Sequence, residues 1–101
     1  MAENLSSSII GDSTVFTVNF TLLADPSQNQ QISIIGSIPE LGGWRDWKKT
    51  TMHKNGSLWQ IQLQVSTPIF MYKYVKTSQN KIEEWEQGYN RIADLQTLKE
   101  S

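Results

Sequence analysis

The residues best suited to chemistry in this chain are aromatic rather than nucleophilic. Its 101 residues include four Trp, three Tyr and three Phe, but no cysteine and one histidine, His53. The lack of cysteine excludes disulfides and thiolate metal sites, and a lone histidine argues against a histidine metal site or a catalytic dyad. The unusual Trp content indicates either a Trp-rich core or a surface on which ligands stack. We expect no cofactor and no metal ion.

Two tryptophans have the sequence surroundings of surface residues. Trp44 ends the Gly-rich stretch GSIPELGGW, which follows an apolar run and has the composition of a turn. A large ring at such a place has few neighbours, so it either closes one end of the core or presents a flat face to a ligand. Trp85 lies among Glu83, Glu84 and Glu86, and burying those charges would be costly.

The other two tryptophans fit structural roles. Trp59 is in phase with Ile61, Leu63 and Val65, which predicts a place in the core. Trp47 precedes two lysines, and we interpret it as covering a sheet edge or lying against the core. Lys73 is the polar exception on its strand face. It is either a solvated lysine whose stem covers a ring, or a fixed donor beside aromatic rings.

These side chains must be positioned by short strands. Alternating apolar residues separated by turn residues predict an all-β, immunoglobulin-like antiparallel sandwich of about seven to eight strands. Asn55-Gly56 predicts a hairpin. Ser-rich residues 1–13 are predicted to form a flexible tail, followed by one domain over residues 14–98. The predicted strands cover residues 15–23, 31–35, 46–52, 58–65, 69–77, 82–86 and 91–98.

Charge and hydropathy narrow the range of partners. The net charge is −1 and no basic run is present, so we expect no nucleic-acid binding. No apolar run approaches the length of a membrane span, so we expect no membrane partner. The first residues lack the features of a secretory signal, which slightly favours an intracellular location. We expect a monomer in isolation.

The acidic residues around Trp85 do not form a convincing catalytic pair. Glycosidases place two carboxylates across a cleft, at about 5–5.5 or 6.5–9.5 Å from each other. Glu84 and Glu86 are two positions apart on one predicted strand, so they share a face and repel each other. We therefore expect a chain without catalytic residues.

Residues 18–91 resemble the starch-binding domains known as family 20 carbohydrate-binding modules. The match runs in order through IIGSIPELGGW at residues 34–44, Leu58-Trp59, the triplet Tyr72-Lys73-Tyr74, Glu84-Trp85-Glu86 and Asn90-Arg91. Family members are immunoglobulin-like sandwiches that bind α-1,4-glucans without catalysis. The resemblance therefore implies a binding module that targets a larger protein or partner to starch, glycogen or maltodextrin.

The resemblance also implies which residues bind sugar. In the family's first site, two Trp rings stack on the sugar while Lys, Glu and Asn side chains bond its hydroxyls. Those roles fall here on Trp44, Trp85, Lys73, Glu86 and Asn90.

The family's second site is expected to be weak or absent. It uses Tyr side chains where this chain has Ser33 and a short loop without aromatic residues, although Trp59 is retained and Trp47 is a substitute candidate. An immunoglobulin-like protein-interaction module without sugar binding remains the alternative.

Overall fold

The computed structural model describes residues 2–9 and 15–98, and within them the chain forms two antiparallel sheets. One sheet has the strand order β1-β2-β6-β5 and the other β4-β3-β7-β8, with β9 also paired to β7. The predicted antiparallel β-sandwich is confirmed. The strands are β1 (Ala2–Ile9), β2 (Phe16–Leu23), β3 (Gln31–Gly36), β4 (Thr50–Thr51), β5 (His53–Asn55), β6 (Leu58–Val65), β7 (Ile69–Ser78), β8 (Lys81–Trp85) and β9 (Arg91–Asp94).

The core forms where alternating residues of the two sheets meet. On β2 every second residue is buried, from Phe16 to Leu22, because successive side chains of a strand point to opposite faces. Phe20 contacts Tyr72 of the other sheet edge to face, with ring centroids 5.3 Å apart. Trp59 on β6 is 3% exposed, which confirms its predicted place in the core.

Two tight hairpins join neighbouring strands through two-residue loops. Asn55 pairs with Leu58, so Gly56 and Ser57 form a two-residue loop in which Gly56 has φ +66°. The β7–β8 turn consists of Gln79 and Asn80, both with positive φ. Positive φ suits such turns because their twist then matches that of the strands.

The N-terminal segment differs from the predicted tail. Residues 2–9 form the edge strand β1, which pairs with β2 over its whole length, from Ala2↔Leu23 to Ile9↔Phe16. Ser and Asn are weak strand formers, so the sequence lacked the signal, whereas the unpaired edge of β2 supplies backbone partners to almost any sequence. Residues 1 and 10–13 of the predicted tail lie outside the described residues.

Two other predicted strands are shorter than expected. Residues 46–52 begin with a 3-10 turn, Asp46–Lys48, and only Thr50–Thr51 pairs with β3. The predicted last strand ends at Asp94 and is followed by a short helix α1 (Leu95–Leu98). The helical turn places Leu95 in the core, where it is fully buried. Among the described residues, no helix is long and apolar enough to span a membrane.

Candidate functional site

The outer face of the second sheet, away from the core, holds two of the predicted site residues. Lys73 pairs with Ile35, and Val75 pairs with Trp85. Directly paired residues share a face, and residues two apart on β7 also share one, so Lys73 and Trp85 lie on the same side. Trp85 is 44% exposed. Strand pairing therefore brings a ring and a cation to one surface.

Trp44 lies on the segment that follows β3, residues 37–49, which we call the cover segment. Its first 3-10 turn, Pro39–Trp44, contacts β3, and its second, Asp46–Lys48, contacts β8. Ile35 and Val75 lie on the outer face of the second sheet, and both are almost completely buried. Trp44 itself is half-buried. Lys73 and Trp85 thus share the outer face, and Trp44 ends a turn that contacts β3.

The backbone leading to Trp44 is unusual. Gly42, Gly43 and Trp44 have φ values of +88°, +58° and +66°, all in the left-handed region. A Cβ on Gly42 would lie 2.7 Å from the Lys48 carbonyl oxygen, so glycine is required for close approach as well as for φ. A bulky residue rarely adopts positive φ, and such strain is concentrated at functional sites. The loop therefore holds the Trp44 ring at a backbone cost.

Lys73 fixes the site loop, residues 86–90, which joins β8 to β9. These two strands pair with successive parts of the same edge of β7, so the loop lies beside Lys73. The Lys73 ammonium donates to the carbonyl oxygens of Glu86 at 2.7 Å and Gly88 at 2.5 Å. An ammonium has three donors, so one is left for a ligand.

The structure pairs the Glu86 carboxylate with Arg91. The family resemblance had instead implied a carboxylate that bonds sugar hydroxyls. The Glu86 backbone N–H donates to the carbonyl of Tyr74, a residue of the inner face, so its side chain points away from Trp85. Both carboxylate oxygens accept from Arg91 Nε, at 3.0 and 2.8 Å, and the side chain is 12% exposed. Alternation along β8 explains this placement, because consecutive residues occupy opposite faces.

Asn90 and Tyr89 complete the site loop. Asn90 is exposed, and its amide nitrogen lies 3.9 Å from the Met71 sulfur on the outer face. Tyr89 is 99% exposed and was not among the predicted site residues. Its sequence carries the same signal as Trp44, since Tyr89 is also an aromatic residue in a loop, beside Gly88.

The residues considered for a second site are not brought together. Ser33 is fully buried on the outer face of β3, and its hydroxyl donates to Thr51 Oγ1 at 3.3 Å. Trp59 is buried in the first sheet and donates its indole N–H to the Ala24 carbonyl at 3.2 Å. Trp47 is 73% exposed. Of these three predicted residues, Trp47 alone presents a broad surface to a ligand.

The glutamates near Trp85 each have a separate partner. Glu83 accepts from Gln30 Nε2 at 3.0 Å, and Glu84 pairs with Lys76 at 3.1 Å. The cavity beside Trp85 measures about 150 Å³, whereas small-molecule pockets hold about 300–1,000 Å³. In the described part of the chain, no group of three or more acidic, histidine or cysteine side chains is arranged to hold a metal. The arrangement is an open surface with fixed polar edges.

Behind the site loop lies a partly buried polar cluster, which we call the Glu3 cluster. Glu3 of β1 accepts from the Tyr72 hydroxyl at 2.7 Å and also from the Tyr74 hydroxyl, both at Oε2. Its other oxygen lies 3.1 Å from Arg91 Nη1. Glu86 raises the pKa of Arg91 by hydrogen bonding to the guanidinium. The cluster consists of Glu3, Tyr72, Tyr74, Glu86 and Arg91.

The buried tyrosines predict a loss of stability in alkali. Burial, reinforced by Glu3, raises the pKa of Tyr72 and Tyr74 well above the ordinary 10.0. Above that pH the unfolded tyrosines ionise while the folded ones keep their protons, so unfolding becomes more favourable as pH rises. The free energy of unfolding should fall by up to about 1.4 kcal/mol per pH unit for each tyrosine.

Urea unfolding between pH 9 and 11 measures this slope. Tyr74→Phe should remove about half of the tyrosine contribution to it. Tyr89→Phe is the matched control, because Tyr89 is 99% exposed and lies outside the Glu3 cluster. Equal slopes in the wild type and Tyr74→Phe would contradict the raised pKa of Tyr74.

Comparison with known proteins shows the family of this chain. Residues 15–101 match the family model described as the starch binding domain. The chain belongs to this family. Its members are non-catalytic modules that bind starch-type α-glucans. Glucoamylase-1 of Arthroderma benhamiae is 31% identical over 80 residues, and the match covers 73% of this chain but 13% of that relative.

Solved structures support the same fold. The γ-CGTase of alkalophilic Bacillus clarkii aligns with 90% of this chain and 13% of its own, at 18% identity and a TM-score of 0.70. A glucoamylase from Hypocrea jecorina covers 93% of this chain and 15% of its own, at 18% identity and a TM-score of 0.69. The family 20 module of a maltotetraose-forming amylase from Pseudomonas saccharophila aligns with 70% of this chain and 79% of its own. The identity is 12% and the TM-score is 0.62.

Proposed function

We propose that the domain binds α-1,4-glucan chains by stacking them on Trp44 and Trp85, with hydrogen bonds from Lys73 and Asn90. The observation that carries the proposal is the shared outer face. Strand register puts Lys73 and Trp85 on that face. In this proposal the Trp44 ring, at the end of the turn that contacts β3, completes the stacking surface. Family membership supports the choice of ligand.

The chemistry of the ligand suits these side chains. A glucose unit has apolar C–H faces and polar edges, and covering an apolar face with a ring is favourable by roughly 25 cal/mol per Å². Two rings carried by different segments fit the curved α-1,4 chain better than a flat β-glucan. The remaining Lys73 proton donates to a sugar hydroxyl, and the Asn90 amide both donates and accepts.

In this proposal Glu86 has a different role from the one that the sequence predicted. Its carbonyl oxygen holds the Lys73 ammonium at 2.7 Å, and its carboxylate holds Arg91. Glu86 therefore supports the site loop instead of bonding the sugar with a free carboxylate. Its 12% exposed side chain leaves little carboxylate surface for a ligand.

The domain is also proposed to attach a larger protein or partner to polysaccharide. This chain spans 13% of the length of the glucoamylase relative and 13–15% of two of the solved structures. When a small module binds a glucan surface, it raises the effective concentration of the protein linked to it at that surface.

Calorimetric titration with β-cyclodextrin, a soluble mimic of the curved chain, tests the proposal. Open sites exchange water for protein hydrogen bonds, so we expect a Kd of about 1 to tens of micromolar, or about −6 to −8 kcal/mol. We expect one site per chain. Cellohexaose, a β-linked control of similar composition, should give no heat of binding.

Each other outcome has a definite meaning. Two sites per chain would show that a second site operates despite the burial of Ser33 and Trp59. Equal binding of both sugars would contradict recognition of chain curvature. Binding of neither would overturn the proposed function and leave the protein-interaction module as the explanation of the exposed rings.

A further inference from the structure

We infer that Glu3, on the N-terminal strand, is a positioning residue for the glucan site; this inference rests on the proposed function. Glu3 lies on β1 in the first sheet, whereas Lys73 and the site loop belong to the second. Arg91 links the two by contacting both Glu3 and Glu86. The edge strand thus helps to set the geometry of the surface that binds sugar.

The connection is a chain of short polar contacts. Glu3 Oε1 lies 3.1 Å from Arg91 Nη1, and Arg91 Nη2 lies 2.5 Å from Glu86 Oε2. The backbone carbonyl of the same Glu86 accepts from Lys73 Nζ at 2.7 Å. Every step involves a charged group, and such hydrogen bonds are shorter and stronger than neutral ones.

Glu86 transmits the effect because it is held from two sides. Arg91 holds its carboxylate on the inner side, and Lys73 holds its carbonyl on the outer side. A shift of Arg91 would therefore change the position of the carbonyl that orients the Lys73 ammonium. The Lys73 ammonium, which is the proposed hydrogen-bond donor to the sugar, would then lose its fixed direction.

The Glu3 side chain has several partners within the cluster. It is 16% exposed, and it satisfies two tyrosine hydroxyls besides Arg91. Its loss would leave those hydroxyls and part of the guanidinium without their acceptor, which is unfavourable where water is excluded. Arg91 would then keep Glu86 and the Tyr74 ring as partners but lose the contact that fixes Nη1.

Strand β1 lies outside the residues that match the family model. The match covers residues 15–101, while β1 ends at Ile9. The positioning contact is therefore supplied by a segment beyond the matched domain. This predicts that the affinity of this domain depends on the N-terminal strand as well as on the matched residues.

The test compares two variants of the full chain that perturb the same strand. Glu3→Gln keeps the size and an acceptor oxygen for the tyrosines but removes the charge that holds Arg91. Its Kd for β-cyclodextrin should rise about 3- to 30-fold, the usual range for coupling through a packed network. Amide hydrogen exchange at residues 86–90 should quicken in the absence of sugar.

Leu5→Ala is the matched control. Leu5 lies on β1, is half-buried and packs against the core, but it is not part of the Glu3 cluster. This variant should lower the Tm yet keep the Kd within about twofold and leave exchange at residues 86–90 unchanged at matched stability. If Leu5→Ala and Glu3→Gln changed Kd and exchange equally, the role of Glu3 would be merely structural and the inference would be overturned.

Failure of the inference can be distinguished from failure of the proposed function. A wild type that binds β-cyclodextrin together with a Glu3→Gln variant of unchanged Kd would overturn the inference alone. A wild type that does not bind would overturn the proposed function. The exchange experiment then decides whether Glu3 orders the site loop, and unchanged exchange in Glu3→Gln would rule that out.

Discussion

Trp85→Ala is expected to remove most of the affinity for β-cyclodextrin while the fold stays intact. The ring is 44% exposed at the end of β8, so its loss creates no cavity in the core. A central aromatic anchor contributes about 2–4 kcal/mol to binding, which corresponds to a roughly 30- to 1,000-fold rise in Kd. Calorimetric titration measures the Kd, and far-ultraviolet circular dichroism checks the fold.

Trp47→Ala is the natural comparison for Trp85→Ala. Trp47 is a more exposed indole, at 73%, on the cover segment. The proposal predicts that its removal changes the Kd by no more than about twofold, as for a peripheral contact. A loss as large as that of Trp85→Ala would transfer the stacking role to Trp47. Unfolding of Trp85→Ala would instead show that the ring is structural.

The companion variant at Trp44 is best made with glycine. Trp44 has φ +66°, which alanine tolerates poorly and glycine adopts freely. Trp44→Gly therefore removes the ring without retaining the backbone strain, and binding should fall as in Trp85→Ala. An unchanged Kd of Trp44→Gly would contradict stacking on two rings, even if Trp85→Ala had lost affinity.

The core could be predicted because its signal is local. A period of two identifies the buried residues of β2, and it identifies Phe70, Tyr72 and Tyr74 on β7 in the same way. Each strand carries its own pattern, so no knowledge of its neighbours was needed. The hairpin at Gly56 was predictable for the same reason, since turn chemistry depends on adjacent residues.

The Glu3 cluster could not be predicted because it depends on register between distant strands. Glu3 and Tyr74 are separated by 71 residues, and Glu3 lies in a Ser-rich segment with no strand pattern. Pairing with the edge of β2 determines where that segment lies. Backbone hydrogen bonds of this kind are almost independent of the side chains, so the sequence provides little sign of them.

The candidate site was predictable as a set of residues but not as a geometry. The motif identified Trp44, Lys73, Trp85, Glu86 and Asn90, yet it does not distinguish a side chain that faces the ligand from one that faces the core. Alternation on β8 separates Trp85 from Glu86, and this separation shows only once the pairing with Val75 and Tyr74 is known. Tertiary pairing is therefore the basis of the different role that we propose for Glu86.

Trp59→Ala is expected to have the opposite effect from Trp85→Ala, with a large loss of stability. Trp59 is 3% exposed, and its indole N–H donates to the Ala24 carbonyl at 3.2 Å. Truncation leaves a cavity and an unsatisfied carbonyl, which costs about 3–5 kcal/mol. That is a large share of the roughly 5–15 kcal/mol by which a domain is stable. Guanidinium unfolding followed by circular dichroism measures the loss.

Trp47→Ala and Trp59→Phe separate the possible causes of that loss. The exposed Trp47 should change stability by no more than about 0.5 kcal/mol, as surface substitutions usually do. Phenylalanine keeps most of the buried area at position 59 but cannot donate to Ala24, so its cost should be intermediate. Near-normal stability of Trp59→Ala would mean that the ring does not support the core. A fall in sugar stoichiometry for the folded Trp59→Phe variant would instead place Trp59 in a working second site, which its 3% exposure argues against.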